Sequence, residues 1–321
     1  MQKERIIEFD YIRVISLFAI LICHSFLDQW YHIEWLGRFL GMTFNFLFLI
    51  LSAFLFGISW ENKGFPKYNI KFLKNRIIKL SKSYYPYLVL LFSVIYLSQG
   101  SLPLHKVVNH ILYLPWFDKI EGYGHLWFLT MIVLCYIGCL ITTKLRRVSN
   151  GILNWIILFC VSIILGYIVS LRDLPGYIFP YLVGYMLVFR YANWILLNIR
   201  KITNLINIGQ FFIVTILNII EFSCLGLDPY SFISYLLGMS EAVSVFCFIY
   251  NAFRTFSTSK LIVLLSGISF EVYLVHEFFL GRYSVYKYIP NHFLSFITFL
   301  SCSIILGFIL NYLSRVFANR K

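Results

Sequence analysis

RVISLFAILICH, residues 13–24, lies near the start of a 321-residue chain and decides how the rest is read. A cation opens the run, an imidazole closes it, and everything between is apolar apart from one serine. Eleven residues at 100° each come to within about 20° of three whole turns, so on a helix Arg13 and His24 share a face. Their Cα atoms would lie about 16 Å apart along the axis. Asp10 falls near the same stripe. Such a helix is built for lipid, with Arg13 at its inner boundary and His24 at mid-depth or in the outer half. A boundary arginine can be a plain anchor. An ionisable group well inside a span is read as functional, because its burial costs free energy that packing does not return. His24 is therefore the first candidate catalytic residue.

The remainder of the chain supports a membrane setting. Residues are 60% hydrophobic and 13% charged, with a mean hydropathy of +0.78. A soluble domain sits nearer half apolar and a quarter charged. Aromatic content of 20% suits a protein with many interfacial ends. Apolar runs recur at about 12–30, 39–60, 84–99, 125–143, 151–171, 176–192, 205–223, 231–252, 261–281 and 293–314. A spanning helix needs about 20 mostly apolar residues. We expect an all-α polytopic membrane protein of about ten transmembrane helices, forming a single integral-membrane domain over 1–321 with no appended soluble domain. The run at 176–192 is short and holds Pro180. No small-residue cleavage site follows ICHSFLDQWYH, so the first helix is read as retained.

The formal charge of +13 resides in short loops between the runs and is read as topology, not as nucleic-acid binding. With the N-terminus inside, 21 of the 27 Lys and Arg fall on cytoplasmic ends. Only Arg38, Lys106, Lys119, Arg172, Arg282 and Lys287 fall on the other side. Both termini are expected in the cytoplasm. Seven cysteines, mostly within apolar runs and with no CxxC, give neither a disulfide framework nor a zinc motif. Cys135 and Cys139 share a helix face and are read as packing residues. No Walker loop, GxSxG, HExxH or other metal cluster is present in the sequence pattern, so no metal is expected.

Three further stretches carry polar groups that a bilayer would not hold without reason. In SGISFEVYLVHEF, Ser269, Tyr273 and His276 follow i, i+4, i+7 and form one stripe, with His276 at a depth comparable to His24. Glu271 lies about 140° around from His276 on a regular helix, so another contact is expected for it. Glu241 is similarly isolated, and interhelical hydrogen bonds would explain both acids. In GYGHLWFLTMIV, His125 and Trp127 open the fourth run, where interfacial placement is the plain reading. In ENKGFPKYNIKFLKNRIIKLSKSYYP, seven cations accompany one acid. Arg76 and Lys79 are i, i+3 neighbours on an expected amphipathic helix. Anionic lipid or a polyphosphate would suit that surface equally.

Taken in order, FDYIRVISLFAILICHSF, FNFLFLILSAFLFG, the basic loop before YYPYL, GHLWFL and ISFEVYLVHEF resemble the acyltransferase-3 family of bacterial integral-membrane O-acyltransferases. The resemblance spans nearly the whole chain. It implies about ten helices in the bacterial inner (plasma) membrane and a cytoplasmic acyl-CoA donor with no tightly bound cofactor. The implied acceptor is a hydroxyl on a cell-surface polysaccharide or glycolipid, with polysaccharide biosynthesis proteins as candidate partners. It places the family's essential arginine and histidine on Arg13 and His24, and its Arg-x-x-Arg motif on Arg76 and Lys79. Lysine there keeps the charge but loses the bidentate fork. The usual Ser-Gly of the second helix is Ser52-Ala53, still small enough for close packing.

The expected chemistry follows. Arg76, Lys79 and Arg13 would meet the CoA phosphates. His24 would act as general base or transient acyl carrier, since an imidazole titrates near operating pH. His276 and Tyr273 would orient the acceptor or hold the oxyanion. His125, Trp127, Ser269 and Asp10 would line the substrate path. A transporter or flippase of a lipid-linked glycan is the alternative, because mid-depth polar groups also suit a substrate pathway.

Overall fold

In a computed structural model the chain is helical, with no strand among the described residues. Those residues are 5–29, 36–37, 39–64, 68–145, 151–171, 176–201, 204–224, 232–257, 259–280 and 284–319. Of the basic residues used for orientation, Lys3, Arg38, Lys67, Arg146, Arg147, Arg172, Arg282, Arg320 and Lys321 lie outside the described set.

Thirteen α-helices are described: α1 Ile7–Gln29, α2 Phe44–Glu61, α3 Ile70–Gln99, α4 Leu104–Ile111, α5 Trp127–Leu145, α6 Ile152–Ser170 and α7 Ile178–Arg190. They continue as α8 Ala192–Ile199, α9 Asn204–Cys224, α10 Phe232–Ala252, α11 Lys260–Val275, α12 Val285–Tyr288 and α13 His292–Asn319. A π-helical turn, Phe39–Thr43, leads into α2. Single 3₁₀ turns precede α5 (Gly124–Leu126) and follow α11 (His276–Phe279). A helix lies over each apolar run. Among the described residues, seven helices are long and apolar enough to cross a membrane, rising to eight if the pair α7–α8, bent by 84°, forms one span. The first helix carries Glu8, Asp10 and Arg13 in its opening turns, which interrupts its apolar stretch.

Two departures from the sequence reading have clear causes. The basic segment and the third apolar run were expected as separate elements, yet they form one 30-residue helix. Pro86 lies inside it, where it removes one backbone donor without ending the helix. The cationic turns from Ile70 to Lys82 are thereby joined rigidly to the apolar turns that follow. The run at 176–192 is cut short: α7 has only 13 residues, about 20 Å, and the chain turns sharply into α8. Glu61 sits at that corner, accepting from the Asn193 side chain at 2.7 Å near the α8 N-terminus, where a carboxylate is favoured.

The described helices pack as two compact units, each drawn from three separated stretches of chain. One comprises 1–23, 33–69 and 137–263. Its core gathers Phe9, Phe54, Phe246 and Tyr250, with Phe54 stacked on Phe246 at 4.5 Å between centroids. Gly57 lets α2 meet the end of α7: a Cβ there would lie 2.4 Å from the Phe189 carbonyl oxygen. Glu241, buried in α10, accepts from Thr43 at 2.9 Å. The other unit comprises 24–32, 70–136 and 264–321. Here α3 and α13 pack together, and Glu271 of α11 joins them by accepting from Ser83 at 2.7 Å and from Asn311 at 3.0 Å. Gly307 of α13 presses against Val272, leaving no room for a side chain.

Candidate active site

The end of α11 generates the site. A helix leaves its last carbonyls without intrahelical donors, and in an apolar setting those must be met by side chains. At Val275 the α-helix tightens into the 3₁₀ turn His276–Phe279, exposing the Tyr273 and Leu274 carbonyls. Two imidazoles take them. His276 Nδ1 lies 2.6 Å from the Tyr273 carbonyl oxygen, and His125 Nε2 lies 3.2 Å from that of Leu274. A carbonyl only accepts, so these nitrogens carry the protons. In return, the Tyr273 hydroxyl donates to the His125 carbonyl at 2.7 Å. The 3₁₀ turn at 124–126 and the tip of α11 are thus clasped in both directions.

This clasp collects three imidazoles around one carboxylate. The His276 ring stands 4.8 Å from His125 and 5.0 Å from His24, centroid to centroid. Glu277 reaches both of the others: Oε2 is 3.0 Å from His125 Nδ1, and Oε1 is 3.9 Å from His24 Nδ1. The first contact is at ion-pair distance, although its angle falls short of a good hydrogen bond. His276 is completely buried, and its Nε2 has no hydrogen-bond partner. Its proton sits on Nδ1, so the lone pair of the buried Nε2 is left unpartnered. His24 is the more open member, its side chain keeping 24% exposure. Beside the cluster, Phe278 meets the rings of Tyr87 and Tyr123 at 5.4 and 5.5 Å, and the buried Tyr87 hydroxyl also lacks a partner.

His24, His125, His276 and Tyr273, singled out from sequence, are brought together. Tyr273 is committed to the His125 main chain. Ser269 is buried but donates to the Ser266 carbonyl of its own helix. Trp127 packs edge-on to Trp116, with centroids 5.8 Å apart. Arg76 lies on α3 with its guanidinium 5.3 Å from the centre of the Phe72 ring, and Lys79 is exposed one turn on. Arg13 and Asp10 belong to the other compact unit, where Asp10 is buried and accepts from Arg5 Nε at 2.5 Å and Nη2 at 2.9 Å.

Glu277 is the residue the sequence reading passed over. The signal was present: an acid inside an apolar run, directly after a histidine. On a regular helix Glu277 falls 100° beyond His276 but only about 40° from Tyr273, so its i+4 spacing from Tyr273 was a second signal.

A set of long apolar helices carrying a buried histidine–carboxylate cluster defines a multi-pass membrane protein equipped for proton-transfer chemistry. A family model described as an acyltransferase domain matches residues 6–315, nearly the whole chain, and the protein belongs to this acyltransferase-3 family. It is a membrane acyltransferase. No curated protein and no solved structure matches the chain.

Proposed function

We propose that the protein moves an acyl group, acetyl by preference, from cytoplasmic acyl-CoA to a sugar hydroxyl of a cell-surface polysaccharide or glycolipid. It would do so in the bacterial inner membrane, with about ten spans, both termini cytoplasmic, and polysaccharide biosynthesis proteins supplying the acceptor. The observation that carries the reading is the meeting of His24 with His276 and Glu277 within a chain of this family.

The chemistry divides among the residues as follows. Glu277 orients the His24 ring through Nδ1 and stabilises the positive charge the ring acquires. His24 takes the proton of the acceptor hydroxyl, the oxygen attacks the thioester carbonyl, and the carbon–sulfur bond breaks. The proton then passes from His24 to the departing thiolate, so free CoA and an ester are formed. A route through a transient acyl-imidazole on His24 balances in the same way. The His276 lone pair accepts a hydrogen bond from the acceptor sugar and fixes its approach. Tyr273 holds His125, and His125 in turn steadies Glu277. The CoA phosphates rest on Arg76, Lys79 and the other exposed lysines of α3.

The test is replacement of His24 by Ala in the host strain, with acylation of the surface glycan scored by mass spectrometry. Loss of the acyl mass at matched protein level is expected. Normal acylation would remove His24 from the mechanism.

A further inference from the structure

We infer that His24, His276 and Glu277 form a binding site for a borderline transition-metal ion, zinc(II) foremost. The binding stands apart from the acyl-transfer reading; its consequence for activity rests on that reading. One donor atom from each of the three residues lies within 4.8 Å of the other two. Ligands at ordinary zinc distances sit about 3.4 Å from one another in a tetrahedron, so closure needs side-chain shifts on the order of 1 Å. His24 and Glu277, at 24% and 10% exposure, can supply them.

Two features are those of a prepared site. His276 donates its Nδ1 hydrogen to the Tyr273 carbonyl, which fixes the ring and leaves the lone pair of the buried Nε2 unpartnered. Metal-bound imidazoles are oriented by such a bond to a backbone carbonyl. Glu277 has Oε2 at ion-pair distance from His125 and Oε1 3.9 Å from His24. An orphaned acceptor in a buried place calls for an occupant. Two imidazoles and one carboxylate suit zinc far better than magnesium or calcium, which prefer oxygen-only shells. Coordination takes the lone pair His24 needs as a base, so bound zinc would hold the transferase off, and chelation would release it.

The test uses the full chain, purified in nanodiscs, stripped with a chelator, titrated with zinc chloride, desalted and analysed for metal. About one tightly held zinc per chain is expected, absent from His276→Ala and from the near-isosteric Glu277→Gln, and held about 10–100-fold more weakly in His125→Phe. Cobalt(II) in place of zinc should give visible d–d bands without a thiolate charge-transfer band. No retained zinc, retention unchanged in both variants, or a thiolate band assigning the ion to cysteines would each overturn the site. Transfer from acyl-CoA, measured in the metal-free protein and again with one equivalent of zinc, separates the two claims. An active protein that takes no zinc removes the metal site alone. A protein that binds zinc yet transfers nothing when metal-free removes the acyl-transfer reading alone.

Discussion

Replacing Glu277 with Gln removes a negative charge from the cluster while keeping the shape of the side chain. If His24 becomes positive as it takes the hydroxyl proton, Glu277 lowers the barrier by its attraction to that charge. At 3.9 Å and an effective dielectric of about 20, a unit pair is worth about 4 kcal/mol. That corresponds to a ceiling of about 10³-fold in rate. His125, 3.0 Å from the other oxygen, draws on the same carboxylate. Glu277→Gln should therefore lower kcat by about 10²-fold, inside the range of general-base contributions. Because the loss arises in the transition state, KM for acyl-CoA should hold steady. Glu277→Asp, which keeps the charge but withdraws it by one methylene, should fall between. The assay is steady-state transfer from labelled acyl-CoA by chelator-treated protein in nanodiscs, with thermal melting to confirm folding. A folded Glu277→Gln enzyme with wild-type kcat would show that the carboxylate does not assist His24.

Other consequences reach beyond the cluster. Arg76→Ala should raise KM for acyl-CoA about tenfold, the worth of one charge-assisted contact, while kcat stays level. Lys79→Arg, which restores the bidentate fork, should lower that KM. Gly307→Ala would put a Cβ 2.5 Å from Val272 Cγ2 and 3.0 Å from the Val272 backbone, directly beside Tyr273. A cost of about 1–3 kcal/mol is expected, read as a lower melting temperature in detergent; an unchanged melt would contradict the close packing. His110, in the short α4, is pushed below the ordinary imidazole pKa by burial. The unfolded chain then binds the extra proton more readily, so this contribution is present above about pH 6.5 and is lost as pH falls below it. The melting temperature should drop on acidification toward pH 5, and His110→Gln should flatten that part of the curve.

Much of the site was legible because membrane sequences are strict about polar groups. His24, His125 and His276 each interrupt apolar surroundings, and each joined the cluster. Their positions within two apolar runs, with the direction of each run read from the basic residues, placed His24 and His276 at comparable depth, and their rings stand 5.0 Å apart. What escaped was whatever depended on departures from regular geometry. The 3₁₀ turn that ends α11, with Glu277 in it, leaves no mark in the residue spacing. The bend between α7 and α8, and the fusion of the basic segment with the third run through Pro86, follow from local packing that spacing does not encode. Asp10 and Ser269 matched the stripes by angle, but short-range partners took them: Arg5 five residues away for Asp10, and the Ser266 carbonyl for Ser269. Glu271 behaved as its angle required, turning from His276 to Ser83 and Asn311.

The claim on which the account rests is that the imidazole at position 24 transfers an acyl group to an alcohol. The direct measurement is the mass of the host's surface glycan, compared among cells making the wild-type chain, the His24→Ala chain at equal abundance, and none. The account predicts an acyl increment with wild type only. An increment of the same size with His24→Ala would contradict it.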